Sequence, residues 1–204
     1  MKITKELLRE KGACAAGYRD FLKEFPEEKY PDGVEYQDLL DCCAEKNFSY
    51  GSWLLSEFGR TDDVRRVDGD LITKKSIIFA GRLEVSGIIK AGESIEAGEG
   101  IKAGCGIEAG CGIKAGEGIK AGCGIKAGCG IKAGEGIEAG WGIEAGGGIK
   151  AGEGIEAGCG IEAGWEFGIY AGLRVRITSE CRKIIAKTKP ENIMCGEFVE
   201  AENE

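Results

Sequence analysis

The chain contains no histidine. That absence removes the side chain that most often serves as general base or zinc ligand at neutral pH, and with it the simplest routes to acid–base or zinc-assisted catalysis. Proline is scarce, with three residues in 204, and no Gly-X-Y triplet recurs, so the high glycine content does not denote a collagen helix. No apolar run approaches the roughly 18–20 residues of a membrane-spanning helix, and the first residues, Met1 to Arg9, mix charged and apolar side chains unlike a signal peptide. Ten cysteines are present, yet none forms a Cys-x-x-Cys pair. With no secretory leader to read, and with Cys42 and Cys43 adjacent in a helical pattern, the thiols are expected to be reduced in a cytoplasmic protein.

What is abundant is glycine, 36 residues, and almost all of the excess lies between Gly87 and Gly172. It is ordered. Leu71, Ile77, Leu83 and Ile89 stand six apart, and isoleucine holds that phase without a break from Ile89 to Ile161. Alanine occupies the second position after each isoleucine from Ala91 to Ala163, and the residue between them is always Lys or Glu. In an extended strand, positions i and i+2 share a face, so isoleucine and alanine point inward and the charged residue points to solvent. The remaining Gly-x-Gly forms a corner, where glycine is expected to open backbone conformations closed to other residues.

A second period fixes the geometry. Glu99, Glu117, Glu135 and Glu153 recur at the corners every eighteen residues; Cys105, Cys123, Trp141 and Cys159 form a second column, and Cys111, Cys129, Gly147 and Trp165 a third. Three hexads therefore make one turn, which predicts a triangular, single-chain parallel β-helix with neighbouring coils stacked at about 4.8 Å. The repeat is expected to give five to six coils across residues 67–172. Trp165-Glu166-Phe167 interrupts it, so Ile169 arrives late and a widened corner is predicted there.

The flanks read differently. Residues 1–66 show helical spacing in Leu7 and Leu8, in Tyr18, Phe21, Leu22 and Phe25 before Pro26, in Leu39, Leu40, Cys42 and Cys43, and in Trp53, Leu54, Leu55 and Phe58 before Gly59. Three or four short helices are predicted, packed against the first coil because so small a module buries little apolar area alone. Residues 173–204 alternate as capping strands, with stretches at 173–177, 183–188 and 193–201, and close on an acidic tail.

Thirty-five acidic against 27 basic residues give a net charge of −8, which disfavours direct nucleic-acid contact and favours a host protein with a basic surface as partner. Three residues before Glu117, Glu135 and Glu153 stand Lys114, Lys132 and Lys150, an arrangement expected to neutralise that corner. The outward column Glu108, Lys126, Glu144 and Glu162 is mostly acidic and is the candidate partner-binding face, with Trp141 and Trp165 as candidate aromatic contacts and a route to a homodimer. The corner cysteines alternate with Trp and Gly and read as packing filler; no metal, cofactor or catalytic residue is expected.

The unit Gly-Ile-(Lys/Glu)-Ala-Gly-x between Gly92 and Gly164 resembles the glycine-rich hexapeptide β-helices of phage and prophage proteins, and more distantly the bactofilins. Gly12-Ala13-Cys14-Ala15, Phe21 to Phe25, Gly33-Val34 and Trp53-Leu54-Leu55 are similar to a small helical module of phage-encoded accessory proteins, and Lys187 to Ile193 with Gly196 resembles the segment found after such β-helices. Hexapeptide β-helix enzymes, acyltransferases and carbonic anhydrases among them, depend on histidine. The resemblance therefore implies a non-enzymatic binding scaffold. Its narrowest form is a phage or mobile-element inhibitor that docks on a host nucleic-acid-binding defence complex, of anti-CRISPR type; the alternative is a self-assembling structural protein of bactofilin type.

Overall fold

The computed structural model describes residues 1–164, 166–173 and 182–201, which form two compact units, Met1–Gly59 and Arg60–Glu204. In the first unit, helix α1 (Lys5–Glu10) starts where Thr4 Oγ1 accepts the Leu7 amide at 3.2 Å. Helix α2 (Ala15–Glu24) is capped by the Cys14 sulfur, which accepts the Gly17 amide at 3.4 Å, and it stops at Phe25 because Pro26 cannot continue it. Helix α3 (Tyr36–Lys46) ends in left-handed Asn47, and α4 (Gly51–Phe58) ends at Gly59 with φ +78°. A two-stranded antiparallel ladder, β1 (Lys2–Ile3) against β2 (Val34–Glu35), ties the first residues to the start of α3. Ile3, Leu8, Phe21, Leu40, Cys43 and Leu54 make the buried centre, and the Tyr36 hydroxyl reaches the carbonyls of Leu54 and Gly59 at 3.0 and 3.1 Å.

The second unit is the parallel β-solenoid. Its first strand is β3 (Val64–Val67), and β4 (Leu71–Thr73), β5 (Ile77–Phe79) and β6 (Arg82–Val85) come next. From β7 (Ile89–Ala91) to β19 (Ile161–Ala163) a three-residue strand recurs every six residues, and the chain continues into β20 (Ile169–Tyr170), β21 (Lys183–Ala186), β22 (Ile193–Cys195) and β23 (Glu197–Glu200). Face one stacks β4, β7, β10, β13, β16 and β19; face two runs from β5 through β8 to β20 and β22; face three runs from β3 through β6 to β21 and β23. The prism is about seven turns tall, more than the repeat alone indicates, because β3 and β20–β23 stack in the same sheets outside the strict hexad. Ile169 still pairs with Ile149, so the corner at 166–168 absorbs the two extra residues, and the C-terminal strands lengthen faces two and three. The alternating stretch predicted at 173–177 lies, apart from Leu173, outside the described residues.

Isoleucine and alanine fill the prism: Ile89, Ile107, Ile125 and Ile143 are at most 1% exposed, and the Lys or Glu between each pair points out. The corners hydrogen-bond from coil to coil as well, for example Cys123 N to Cys105 O at 2.9 Å, which leaves little backbone unpaired inside.

The corner glycines serve a purpose other than the one expected of them. Among the described glycines, positive φ occurs at Gly12, Gly33, Gly59, Gly69, Gly172 and Gly196, none of which is a corner glycine of the strict repeat. Instead, a Cβ on the first glycine of a corner would strike the carbonyl oxygen of the coil beneath, at 2.0 Å for Gly110 and 2.1 Å for Gly128. The second glycine is less constrained, with 3.4 Å at Gly106. Close stacking, not backbone freedom, selects glycine here.

Candidate functional site

Face one presents one residue per coil to solvent, and strand register stacks Ile72, Lys90, Glu108, Lys126, Glu144 and Glu162 in a single column. The four residues singled out in the sequence, Glu108, Lys126, Glu144 and Glu162, line one groove of about 1130 Å³. Its floor is the strands of face one, and residues 188–192, between β21 and β22, supply a wall. Within the column Lys90 bonds Glu108 at 2.9 Å, and Lys126 reaches both oxygens of Glu144 at 2.8 and 2.9 Å. The bond to Glu144 raises the pKa of Lys126. Glu162 has no ion-pair partner among the described residues.

Four glutamates (Glu108, Glu144, Glu162, Glu191) against two lysines (Lys126, Lys189) leave the groove at −2. The other faces differ in sign or are closer to balance. Along face two, Glu96, Lys114, Lys132 and Lys150 stack in one column, three cations to one anion, with the Lys150 ammonium 5.2 Å from the centre of the Tyr170 ring. Face three stacks Arg66, Glu84, Lys102, Lys120, Glu138 and Glu156, three cations and three anions, and Lys120 bonds Glu138 at 2.6 Å.

Only the lower half of the glutamate corner is neutralised, and not by the expected partners; Glu135 and Glu153 have no ion pair among the described residues. Lys114 pairs along its own face with Glu96 at 3.9 Å, whereas Glu117 receives Arg60 Nη1 at 2.7 Å and Arg82 Nη2 at 2.9 Å. Arg82 and Arg60 also approach Glu99, at 3.6 and 4.0 Å, and Glu99 is 8% exposed. Lysines three residues away in sequence lie on a flat face and make no ion pair with the corner glutamates, so spacing alone misassigned the pairs.

Trp141 is 66% exposed at the corner where face three turns into face one, beside the groove but outside its lining. Trp165 lies outside the described residues. Cys105, Cys111, Cys129 and Cys159 are exposed, which removes the packing-filler reading: the corner side chain projects from the prism. Among the described residues no group of three or more Cys, Asp and Glu is arranged to hold a metal ion, and no helix is long and apolar enough to cross a membrane.

Two features escaped prediction from the sequence. Ile72 and Ile88, 63% and 39% exposed, stand on or beside the lower part of face one where later coils carry a charge and a glycine, a break in the repeat that was legible. The second is an apolar cavity of about 280 Å³ inside the helical unit, lined by Leu8, Phe21, Leu39, Phe48, Trp53 and Leu54 among others. No motif announces it, because it arises from the way four short helices fail to close.

The fold defines a parallel β-solenoid protein with an N-terminal helical unit. Of that unit, residues 1–60 match the family described as the YdhT N-terminal domain, whose extent coincides with the compact unit Met1–Gly59. No curated protein and no solved structure matches the chain.

Proposed function

We propose that this protein is a non-enzymatic scaffold that binds a basic surface of a partner protein in the groove of face one. The observation that carries the reading is the clustering of Glu108, Glu144, Glu162 and Glu191 around one groove at net −2, on a rigid wall whose backbone is paired in register. Exposed Trp141 at the margin offers an aromatic anchor of the kind enriched in protein contacts. A chain without histidine and with net charge −8 supports protein binding over catalysis or direct nucleic-acid contact. In the narrower form, the partner is a host nucleic-acid-binding defence complex and the protein is a phage or mobile-element inhibitor in the host cytoplasm, competing with nucleic acid for a basic cleft.

The test is affinity capture with the full chain and with Glu144→Lys/Glu162→Lys from the cells that produce it. The expected result is a basic partner retained by the wild type, released as salt rises and lost with the double variant. A partner retained equally by both proteins overturns the groove assignment, and failure of DNA to displace the partner overturns the narrower form.

Self-assembly of the bactofilin kind is a second reading. One observation favours it: among the described residues β3 and β23 each have a single strand neighbour on face three, so one side of each has no strand partner. Light scattering distinguishes the cases, since filaments grow with concentration whereas a monomer or a homodimer stays small.

A further inference from the structure

The cavity of the helical unit shares no lining residue with the face-one groove. Apolar side chains from all four helices and the α3–α4 connection form most of its wall: Leu8, Phe21, Leu39, Phe48, Trp53 and Leu54. Cys43 in the same wall is buried enough that its thiol is pushed up to about 12 and stays uncharged. The charged groups of the lining are Asp20 and Glu24, one turn apart on α2, and no Lys or Arg lines it. Asp20 accepts the Tyr50 hydroxyl at 3.1 Å, and Glu24 pairs with Lys46 at 3.3 Å, so Asp20 retains uncompensated negative charge at the rim. An apolar space with acid at one edge suits a ligand that is apolar at one end and cationic at the other.

Size selects the kind of ligand. A volume of about 280 Å³ lies just under the roughly 300–1000 Å³ usual for small-molecule sites and suits one or two large side chains. We propose that this cavity binds a peptide segment of a partner protein, seating an aromatic or leucine side chain inside while a neighbouring Lys or Arg meets Asp20. Binding would thus be bipartite, with the helical unit reading a short segment and the solenoid reading a surface, but the cavity proposal stands without the groove.

The test is selection of a displayed random peptide library on the full-length protein, and then affinity measurement on two variants. Gly17→Leu fills the cavity, since a Cβ at Gly17 already meets the Tyr50 ring at 3.4 Å; Asp20→Lys reverses the rim charge. The expected result is enrichment of sequences that pair Trp, Phe or Leu with Lys or Arg, with at least tenfold weaker binding to each variant and unchanged binding to Glu144→Lys/Glu162→Lys. Should Gly17→Leu not fold, Asp20→Lys makes the discrimination. Enriched peptides that are acidic, peptides that bind every folded variant as tightly as the wild type, or no enrichment at all overturns the proposal.

Discussion

A methyl group at Gly122 would lie 2.1 Å from the Gly104 carbonyl oxygen, whereas one at Gly118 would lie 3.5 Å from that of Gly136. The two glycines look equivalent in the repeat but meet different neighbours. Gly122→Ala should therefore cost about 1–3 kcal/mol through forced separation of two coils, and Gly118→Ala well under 1 kcal/mol; thermal melting of the pair reads the difference. Equal melting shifts would show that coil stacking does not select glycine. The cysteines separate the same way. Burial pushes the Cys43 thiol up to about 12, so at pH 8 almost none is thiolate, while Cys105, Cys111, Cys129 and Cys159 stand exposed at corners. Iodoacetamide at pH 8 should modify the corner thiols in the native protein and Cys43 only after denaturation, as peptide mass spectrometry would show. Modification of Cys43 at the corner rate would refute its burial.

A single strand of the solenoid is too short to be stable alone, and its two inward side chains carry its contribution. In β13 (Ile125–Ala127), Ile125 is 1% exposed and Lys126 points to solvent. Ile125→Ala should cost about 2–5 kcal/mol, because atoms are lost from a packed interior that cannot collapse around them. Lys126→Ala should cost less than about 1 kcal/mol, since its bond to Glu144 is an exposed ion pair. Urea denaturation of both variants checks the ratio, and similar costs would contradict the inward–outward alternation. Much of this was legible: the hexad gave each strand, its inward pair and its outward charge. The glutamate partners were not, since Arg60 and Arg82 lie far from Glu117 in sequence and meet it only when the coils stack.

The solenoid unit as a whole is set by its eighteen-residue turn. Deleting 113–130 removes one coil and keeps every later column on its face, whereas deleting 113–118 preserves the inward isoleucines but rotates every later coil by one side. Spin labels at Glu108→Cys and Glu144→Cys, in a protein otherwise free of reactive thiols, should draw closer from about 10 Å to about 5 Å after the first deletion and move to separate faces after the second. A short distance after the six-residue deletion would rule out three sides per turn. The sequence by itself determined the solenoid, its faces and the composition of the face-one column, because a strict period leaves one way to bury isoleucine and alanine. Only the tertiary structure decided that residues 188–192 wall that column into a groove, that the corner cysteines face solvent, and that four helices leave an apolar cavity between them. Each of these depends on segments distant in the chain coming together, which a local repeat does not encode.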